Sequence, residues 1–378
     1  MAGLFNFLKT RIFSRFLFPD RGDISKRVAI LNFSYSNCNF GAVLLSYATQ
    51  KVLLSLGKIP YVLNFNPCFK NYWKFSHIKG LISGMNFISF RYKFLNTTKI
   101  YTNFKSVKKS NRFFNTFLFG SDQIWRYEIV KADCETYFGG FAEHGKKLIA
   151  YAASFGKDKW DEAPKSATGQ IGQLLKRFSD ISVREQSGVD ICKDIFAVNA
   201  EFVLDPTLLL TEKDYAQIYE THKIEPGCKY ISAAFLDNAP IKSEILKTVS
   251  ELLQLKPIDA TAKRVKIFGK TRPVYRPVSD WLYLIKNAEF VVTDSFHCCV
   301  FCIIFKKQFL CIDTKNRGNA RLESLFNILG IPSRMAFGEQ DIERLIREKI
   351  DFDKVDKNLG ILRDKSVGFL GAALGRNI

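Results

Sequence analysis

The chain lacks acidic residues over a long stretch near its beginning. No aspartate or glutamate lies between Asp23 and Asp122, whereas the same interval holds 14 lysines and arginines. Residues 1–121 therefore carry +16 of the formal net charge of +19. A positive field concentrated in this way attracts an anionic partner, such as nucleic acid, a phospholipid surface or a phosphorylated substrate. Composition alone does not decide which of these three partners the protein binds.

Three other absences exclude whole classes of protein. No run of about 18 to 20 apolar residues is present, which argues against a membrane-spanning helix. The N-terminus shows no secretory signal pattern and the nine cysteines are not spaced as a disulfide framework, so we expect a cytoplasmic protein. His297 is followed by Cys298, Cys299 and Cys302. A zinc site usually needs a second pair of ligands, so we predict no metal site.

Apolar runs and helical patterns alternate along most of the chain. Val28–Phe33 and Tyr61–Asn64 are typical of buried strands, and the helical pattern of Ala42–Leu56 separates them. This βαβ order predicts a parallel sheet covered by helices. A second series of the same kind begins near Tyr230 and includes a strand expected at Val265–Phe268.

These patterns divide the chain into three parts. Residues 1–23 form a basic and aromatic segment whose apolar and charged faces are not separated. An N-terminal α/β lobe is expected over 24–222, with a basic, aromatic-rich excursion at 70–112. A C-terminal α/β lobe follows over 223–378, and its last helices could pack back on the first lobe. We predict two Rossmann-like lobes facing a central cleft, since open parallel sheets bind ligands at the carboxyl ends of their strands.

Two polar clusters follow predicted strands of the first lobe. Asn39 and Gly41 lie where the first strand turns into a helix, whose N-terminal N–H groups could bind an anion or a hydroxyl. A turn without any function fits the same residues. Asp122 and Gln123 follow a later strand, where the carboxylate could accept a hydroxyl proton or simply cap a helix.

Two further clusters combine a strand end with a cationic or titratable side chain. Arg184 follows a strand beside Glu185, where it could hold a carboxylate or phosphate with two parallel N–H bonds, or form a salt bridge with a nearby acid. Asp294, Ser295 and His297 separate a strand of the second lobe from an apolar helix. His297 could bind a phosphoryl group there, act as an acid near neutral pH, or have only a structural role.

Together these clusters resemble the polysaccharide pyruvyl transferase family. Six short motifs occur in that family's order between Val28 and Leu329. They are Asn39-Phe40-Gly41-Ala42, Gly120-Ser121-Asp122-Gln123-Ile124-Trp125, Tyr151-Ala152-Ala153-Ser154-Phe155-Gly156, Ser182-Val183-Arg184-Glu185, Leu204-Asp205-Pro206-Thr207 and Thr293-Asp294-Ser295-Phe296-His297. The chain departs from the pattern at Cys298, where the family commonly has glycine, but cysteine is also small.

The resemblance implies a fold like the two-lobed GT-B glycosyltransferases. It also implies phosphoenolpyruvate as the donor and a sugar of a surface polysaccharide as the acceptor. The family's donor-binding arginine and histidine match Arg184 and His297, and its acidic residue on the acceptor side matches Asp122. The predicted catalytic residues are therefore Asp122, Arg184 and His297.

The donor's chemistry adds further candidates. Phosphoenolpyruvate carries a carboxylate and a phosphate, so Ser295, with the helix N–H groups that follow it, and Arg321 are expected to contact the donor. Asn39 and Gln123 are expected to contact the acceptor. The chain has no P-loop or dinucleotide fingerprint, so we expect no cofactor besides phosphoenolpyruvate as co-substrate.

Two other functions remain open from the sequence. A nucleotide-sugar glycosyltransferase would share the two-lobed fold and would not depend on phosphoenolpyruvate. A nucleic-acid-binding protein would use the basic aromatic excursion for phosphate contacts and base stacking. We favour contact of the excursion with an anionic membrane surface or a lipid-diphosphate-linked sugar, at the inner face of the membrane, and expect no nucleic-acid partner.

Overall fold

The computed structural model describes residues 23–68, 83–160, 163–267, 270–313 and 320–375. The sequence predictions for residues 1–22, and for the first part of the basic excursion, lie outside the described residues. The described residues fall into two compact units. One lies within Met1–Leu81, Ile88–Leu209 and Lys365–Ile378, and the other within Ile82–Phe87 and Leu210–Asp364.

A parallel sheet of seven strands forms the centre of the first unit, in the order β3-β2-β1-β4-β5-β6-β7. Its first strand is buried at every position, as expected for an apolar strand covered on both faces. Val28 of that strand aligns with Pro60 on one neighbour and Thr116 on the other. The strands are β1 Arg27–Leu31, β2 Ile59–Phe65, β3 Thr97–Tyr101, β4 Thr116–Phe119, β5 Lys147–Ala153, β6 Asp180–Val183 and β7 Glu201–Phe202.

Helices connect these strands, and the longest of them is apolar on almost every side and correspondingly buried. The indole of Trp125 stacks on Phe138 with ring centroids 5.5 Å apart and donates its N–H to the carbonyl of Tyr137 at 3.2 Å. The helices are α1 Phe40–Ser55, α2 Met85–Phe94, α3 Phe104–Val107, α4 Tyr127–Val130, α5 Cys134–Tyr137, α6 Lys165–Leu175 and α7 Gln186–Asp194. Short 3-10 helices cover Ile24–Lys26, Lys108–Arg112, Lys131–Asp133 and Pro206–Leu209.

A second parallel sheet, of five strands in the order β14-β13-β12-β8-β9, forms the centre of the other unit. Ile231, Val292 and Leu310 on three adjacent strands belong to its buried core. The remaining two strands, β10 and β11, pair antiparallel with each other. The strands are β8 Tyr230–Ala234, β9 Lys256–Asp259, β10 Ala262–Ile267, β11 Lys270–Tyr275, β12 Phe290–Thr293, β13 Phe309–Ile312 and β14 Met335–Ala336.

The helices of this unit alternate with its strands in the same way, and the 3-10 helix Glu339–Asp341 precedes the last short one. None of the helices in the described ranges is long and apolar enough to cross a lipid bilayer. The helices are α8 Glu212–Tyr219, α9 Pro240–Leu253, α10 Val278–Lys286, α11 Phe296–Ile304, α12 Ala320–Leu329, α13 Ile342–Arg347 and α14 Phe352–Ala373.

The end of α14 belongs to the first unit, although it follows the second unit in sequence. The backbone N–H of Leu204 donates to Ser366 Oγ at 3.0 Å. The rings of Tyr151 and Phe369 have centroids 6.3 Å apart. The ammonium group of Lys58 donates to the carbonyl of Leu374 at 3.0 Å. These contacts make residues 365–374 part of the first unit's structure.

The prediction of two Rossmann-like α/β lobes is confirmed, with one correction. Residues 265–267 of the strand expected at 265–268 lie in β10, but β10 pairs with β11, and β9 adjoins β8 in the parallel sheet instead. The physical reason is charge. Lys263, Arg264 and Lys266 lie in this strand and are solvated in a hairpin, whereas a parallel sheet covered by helices would bury them.

The described part of the basic excursion is more structured than its irregular pattern suggests. It contributes α2, the edge strand β3 and the short helix α3. Phe87 and Phe90 are buried. This part of the excursion is therefore built into the fold, and Phe87 and Phe90 contribute to packing.

Candidate active site

The strand order of each sheet reverses at one point, and most of the predicted site residues follow strands at these two points; Arg184 follows β6 and Arg321 follows β13. In the first unit the chain proceeds from β1 to β3 on one side of the sheet and from β4 to β7 on the other, so the change falls between β1 and β4. In the second unit it falls between β8 and β12. Ligands of open parallel sheets bind outside the carboxyl ends of the strands at such points.

The loop after β1 is held in place on both sides. Asn39 caps α1, since its Oδ1 accepts from the N–H of Ala42 at 3.0 Å. Asn32 Oδ1 accepts from the N–H of Ser34 and the hydroxyl of Ser46, at 3.0 and 3.1 Å. The predicted acceptor residue Asn39 is thus half-buried at the switch point, and its amide oxygen already has a structural partner.

Arg91 fixes the same loop from α2, a contact that the sequence did not predict. Its guanidinium donates to the carbonyls of Ser34 and Ser36, at 3.2 and 2.8 Å, and to Asn37 Oδ1 at 2.5 Å. One arginine of the basic excursion therefore positions the switch-point loop, and the charge of this side chain is used inside the first unit.

Asp122 lies directly across the switch point, after β4, in an unusual backbone conformation. Its φ of 83° is in the left-handed region, which costs a non-glycine residue about 1–3 kcal/mol and persists only where the surroundings enforce it. Two backbone bonds do so, because its carbonyl accepts from the N–H groups of Ile124 and Ser154 at 2.7 and 3.1 Å. Such strain is typical of functional positions, where the placement of the side chain matters.

Gln123, the other predicted acceptor contact, is half-buried beside Asp122. Its Oε1 accepts from Arg126 Nη1 at 3.0 Å. A Cβ atom on Gly156 would lie 2.3 Å from the same oxygen, and Gly156 has a φ of 71°. The glycine of the Tyr151–Gly156 motif thus provides the space that the glutamine side chain fills.

Arg184 is the centre of a buried ion-pair network in the first unit. Nη1 lies 2.8 Å from Asp205 Oδ2, Nη2 lies 3.3 Å from Asp122 Oδ1, and Nε lies 4.0 Å from Glu185 Oε2. Only 1% of the Arg184 side chain is exposed. Burial lowers the pKa of its guanidinium, but Asp205, Asp122 and Glu185 outweigh burial and raise it overall.

The carboxylates around Arg184 have further partners of their own. Asp205 Oδ2 accepts from the hydroxyl of Ser121 at 2.6 Å, and Asp205 Oδ1 accepts from the N–H and hydroxyl of Thr207 at 3.0 and 2.6 Å. Glu185 Oε1 accepts from the N–H of Phe155 at 2.7 Å. The salt-bridge alternative for Arg184 is therefore realised, and the guanidinium links the Ser182–Glu185 motif to two others, those of Asp122 and Asp205.

In the second unit, His297 occupies the second position of α11, immediately after the end of β12. Ser295 caps this helix, with its Oγ 3.5 Å from the N–H of Cys298. His297 is 7% exposed, and its ring lies 5.3 Å from that of Phe296. The guanidinium of Arg321, in α12, lies over the Phe296 ring, with Cζ 5.7 Å from the ring centroid. Ser295, His297 and Arg321, three of the predicted donor contacts, thus gather around the start of α11.

The same switch point contains a buried lysine that the sequence did not reveal. Lys242 of α9 has a side chain only 3% exposed, and its Nζ lies 2.5 Å from both Asp294 Oδ2 and Asp237 Oδ1. Asp294 Oδ1 also accepts from the N–H of Leu236 at 2.8 Å. Lys242 thereby ties the turn that leads into His297 to the strand next to it. Its only sequence signal is its place in the first turn of the helix after β8.

The cysteines near His297 are buried within α11. Burial raises the pKa values of the Cys299 and Cys302 thiols well above the ordinary value for a cysteine. Within the ranges that the structure describes, no group of three or more histidine, cysteine or acidic side chains is arranged to hold a metal ion. These thiols behave as small apolar side chains in the helix.

Comparison with known proteins was made for the sequence and for the fold. A sequence model of the polysaccharide pyruvyl transferase family matches residues 39–316. A search of curated protein sequences found no match. A structure from Listeria monocytogenes described as a UDP-N-acetylglucosamine 2-epimerase is 9% identical, covers 93% of this chain and 98% of its own, and has a TM-score of 0.50.

Two other solved structures are similar over most of the chain. A glycosyltransferase of Rickettsia africae is 10% identical, with 93% of this chain and 99% of that chain covered and a TM-score of 0.48. A UDP-GlcNAc 2-epimerase of Neisseria meningitidis bound to UDP-GlcNAc is 10% identical, with 92% and 97% covered and a TM-score of 0.47. At these identities, the likeness to the Listeria structure concerns the fold alone, which is GT-B-like.

Proposed function

This chain belongs to the polysaccharide pyruvyl transferase family, and from that premise we propose that it moves the pyruvyl group of phosphoenolpyruvate onto two hydroxyls of one sugar. The sugar belongs to a surface polysaccharide or its lipid-linked precursor, and the products are a cyclic ketal and phosphate. The family match across both units supports this proposal. It is strengthened by the position of Asp122 and His297, which lie at the switch points of the two sheets.

The residues around the start of α11 suit an anionic donor. The first-turn N–H groups of a helix favour a phosphate, and His297 lies in that turn. Arg321, stacked over Phe296, adds a guanidinium that can pair with the phosphate or the carboxylate. In this proposal Ser295, His297 and Arg321 bind phosphoenolpyruvate.

The reaction requires both a proton donor and a proton acceptor. His297 delivers a proton to the methylene carbon of the donor, which becomes a methyl group, while one sugar hydroxyl attacks C2 and loses its proton to Asp122. A second hydroxyl of the same sugar then attacks C2 and loses its proton to the departing phosphate. The C2–O bond to phosphate breaks, and phosphate leaves with the oxygen and the bonding electrons, while the proton held by Asp122 returns to His297 through solvent. No resident cofactor or metal takes part in this scheme.

Arg184 acts in this proposal through the acceptor-side carboxylate. Its guanidinium faces three carboxylates, and their negative charge exceeds its single positive charge. In this arrangement the cluster therefore does not attract an anionic donor. Its bond to Asp122 Oδ1 instead fixes the carboxylate that takes the hydroxyl proton. Direct binding of the donor by Arg184 would require it to leave Asp122 and Asp205.

The acceptor is proposed to meet the first unit at Asn39, Asp122 and Gln123. These side chains lie at or beside the switch point between β1 and β4, where amides and a carboxylate can hydrogen-bond sugar hydroxyls. A lipid-diphosphate carrier would present the sugar at the inner face of the membrane, so we place the protein in the cytoplasm, at that surface.

The proposal is tested by incubating the protein with phosphoenolpyruvate and lipid-linked or synthetic glycosides. We expect mass spectrometry to find one added pyruvyl ketal for each phosphate released. Omitting the acceptor should suppress both signals. A product formed from a nucleotide sugar in place of phosphoenolpyruvate would instead identify a glycosyltransferase and overturn the proposal.

A variant pair at Asn39 separates its capping role from acceptor binding. Asn39→Ala removes the N-cap and is expected to lower the free energy of unfolding by about 1 kcal/mol. Asn39→Asp keeps the capping oxygen and should restore stability, but it loses the amide N–H that can donate to a sugar hydroxyl. We therefore expect Asn39→Asp to melt like the natural protein and to show a raised KM for the acceptor. An unchanged KM would limit Asn39 to capping α1.

A further inference from the structure

The β10–β11 hairpin carries positive charge that no acidic residue of its own balances. Residues 262–276 contain six lysines and arginines and no aspartate or glutamate. Lys263, Arg264 and Lys266 are exposed. In the described part of the chain, these three and Arg272 take part in no ion pair. This cluster of basic residues lies outside the basic stretch near the N-terminus. The net charge of residues 122–378 does not reveal it, because acidic residues elsewhere in that part of the chain nearly balance it.

Strand pairing distributes this charge over both faces of the hairpin. Lys263 is opposite Val274, and Arg272 is opposite Val265. Because directly opposed residues share a face and successive residues alternate, Lys263 and Arg272 lie on one face. Arg264 and Lys266 lie on the other. Among the strands that the structure describes, these two pair only with each other, so the hairpin is a charged ribbon of the second unit.

The hairpin is also the point where the basic excursion reaches the second unit. Ser83 Oγ donates to the carbonyl of Pro273 at 3.5 Å, although the two residues are 190 positions apart in sequence. Asn86 Nδ2 donates to the carbonyl of Tyr275 at 2.7 Å, and the rings of Phe87 and Tyr275 meet edge to face at 5.7 Å. These contacts bring the described end of the excursion onto β11.

We propose that the β10–β11 hairpin docks the protein on an anionic phospholipid surface. Each lysine or arginine held near such a surface raises affinity about five-fold. The ring of Tyr275 is half-buried against Phe87, whereas Lys263, Arg264 and Lys266 are exposed. Exposed ammonium and guanidinium groups on both faces of a ribbon pair with lipid phosphates by charge alone, whereas single-stranded nucleic acid also uses exposed rings on which bases stack. We therefore assign this surface to lipid headgroups. The docking does not depend on the proposed chemistry, which it would serve by bringing the protein to a lipid-linked acceptor.

The test is flotation with vesicles of mixed phosphatidylglycerol and phosphatidylcholine, which needs no enzyme assay. The variant is Lys263→Gln, Arg264→Gln and Lys266→Gln together, three exposed positions whose change leaves the core intact. The matched control is Lys229→Gln, Lys247→Gln and Lys349→Gln, which removes the same charge from three exposed lysines of the same unit. Thermal melting verifies that both variants fold.

We expect the hairpin variant to lose on the order of 100-fold in vesicle affinity, while the control binds like the natural protein. Binding should fall as salt is raised and should be absent with pure phosphatidylcholine. An equal loss of vesicle affinity in both variants would show that binding depends only on the protein's net charge, and it would overturn the proposal. The proposal also fails if the hairpin variant floats normally but loses affinity for a single-stranded oligonucleotide.

Discussion

Replacing Arg184 with methionine is expected to lower the free energy of unfolding of the first unit by about 3–5 kcal/mol. The guanidinium is the cation shared by the buried carboxylates of Asp122, Glu185 and Asp205. Removing one partner from a buried ion pair leaves the other charge without compensation, and the loss of stability is typically of this size. Chemical denaturation, combined with hydrogen exchange of peptides from the first unit, measures the effect.

Two further variants show whether the loss arises from buried charge. Lys157→Met removes a cation of the same unit that pairs with Glu128 at 3.8 Å, and these side chains are 34% and 47% exposed, so we expect a cost of at most about 1 kcal/mol. Adding Asp205→Asn to Arg184→Met removes one of the stranded charges and should recover part of the stability. Equal denaturation midpoints for Arg184→Met and the natural protein would show that the network contributes nothing to stability.

The second large effect is expected at His297. His297→Gln should slow phosphate release from phosphoenolpyruvate by about 100- to 10,000-fold, the usual contribution of a positioned acid or base. Glutamine keeps a polar side chain at this position in α11 but cannot deliver a proton to carbon. Single-turnover assays with saturating donor distinguish a slowed reaction from weakened binding.

His222 supplies the matched control for this variant. It lies in the same unit, with its ring stacked on Tyr283 at 3.6 Å and its Nε2 3.3 Å from Glu225. His222→Gln should release phosphate at the natural rate. If His297→Gln turned over normally, His297 would have no part in the reaction, and a raised KM with normal turnover would limit it to donor binding.

Local patterns predicted the elements that carry the candidate site because each motif is complete within a few residues. The turn after β12 illustrates this, since Asp294, Ser295 and His297 follow an apolar strand and precede an apolar helix. Asn39 and Gly41 occupy the corresponding place after β1. In both, the change from strand to helix is visible as a change of hydrophobic period.

Contacts between distant residues could not be predicted in the same way. The sequence left Arg184 open between a donor ligand and a salt bridge, because its sequence neighbours do not reveal that Asp205 lies 2.8 Å away. Lys242 and Asp294 are 52 positions apart, and only the order of the strands brings them together. The switch points themselves depend on strand order, which hydrophobic period does not encode.

The hairpin shows a different limit. A run containing Val265 and Ile267 has the period of a strand, and the sequence gives no sign of which strand it joins. The charges at Lys263, Arg264 and Lys266 decide this, since they favour a solvated ribbon over a covered sheet. Patterning predicted the element, and the cost of burying charge determined its partner.

The placement of residues 365–374 has a consequence for biosynthesis. A nascent chain leaves the ribosome from its N-terminus, and domains generally fold as units during synthesis. Here Ser366, Phe369 and Leu374 complete the first unit, yet they emerge only after all of 210–364 has been made. The first unit therefore starts to form early and gains this part of α14 only after the residues of the second unit have been made. During that interval, the backbone N–H of Leu204 lacks its native partner.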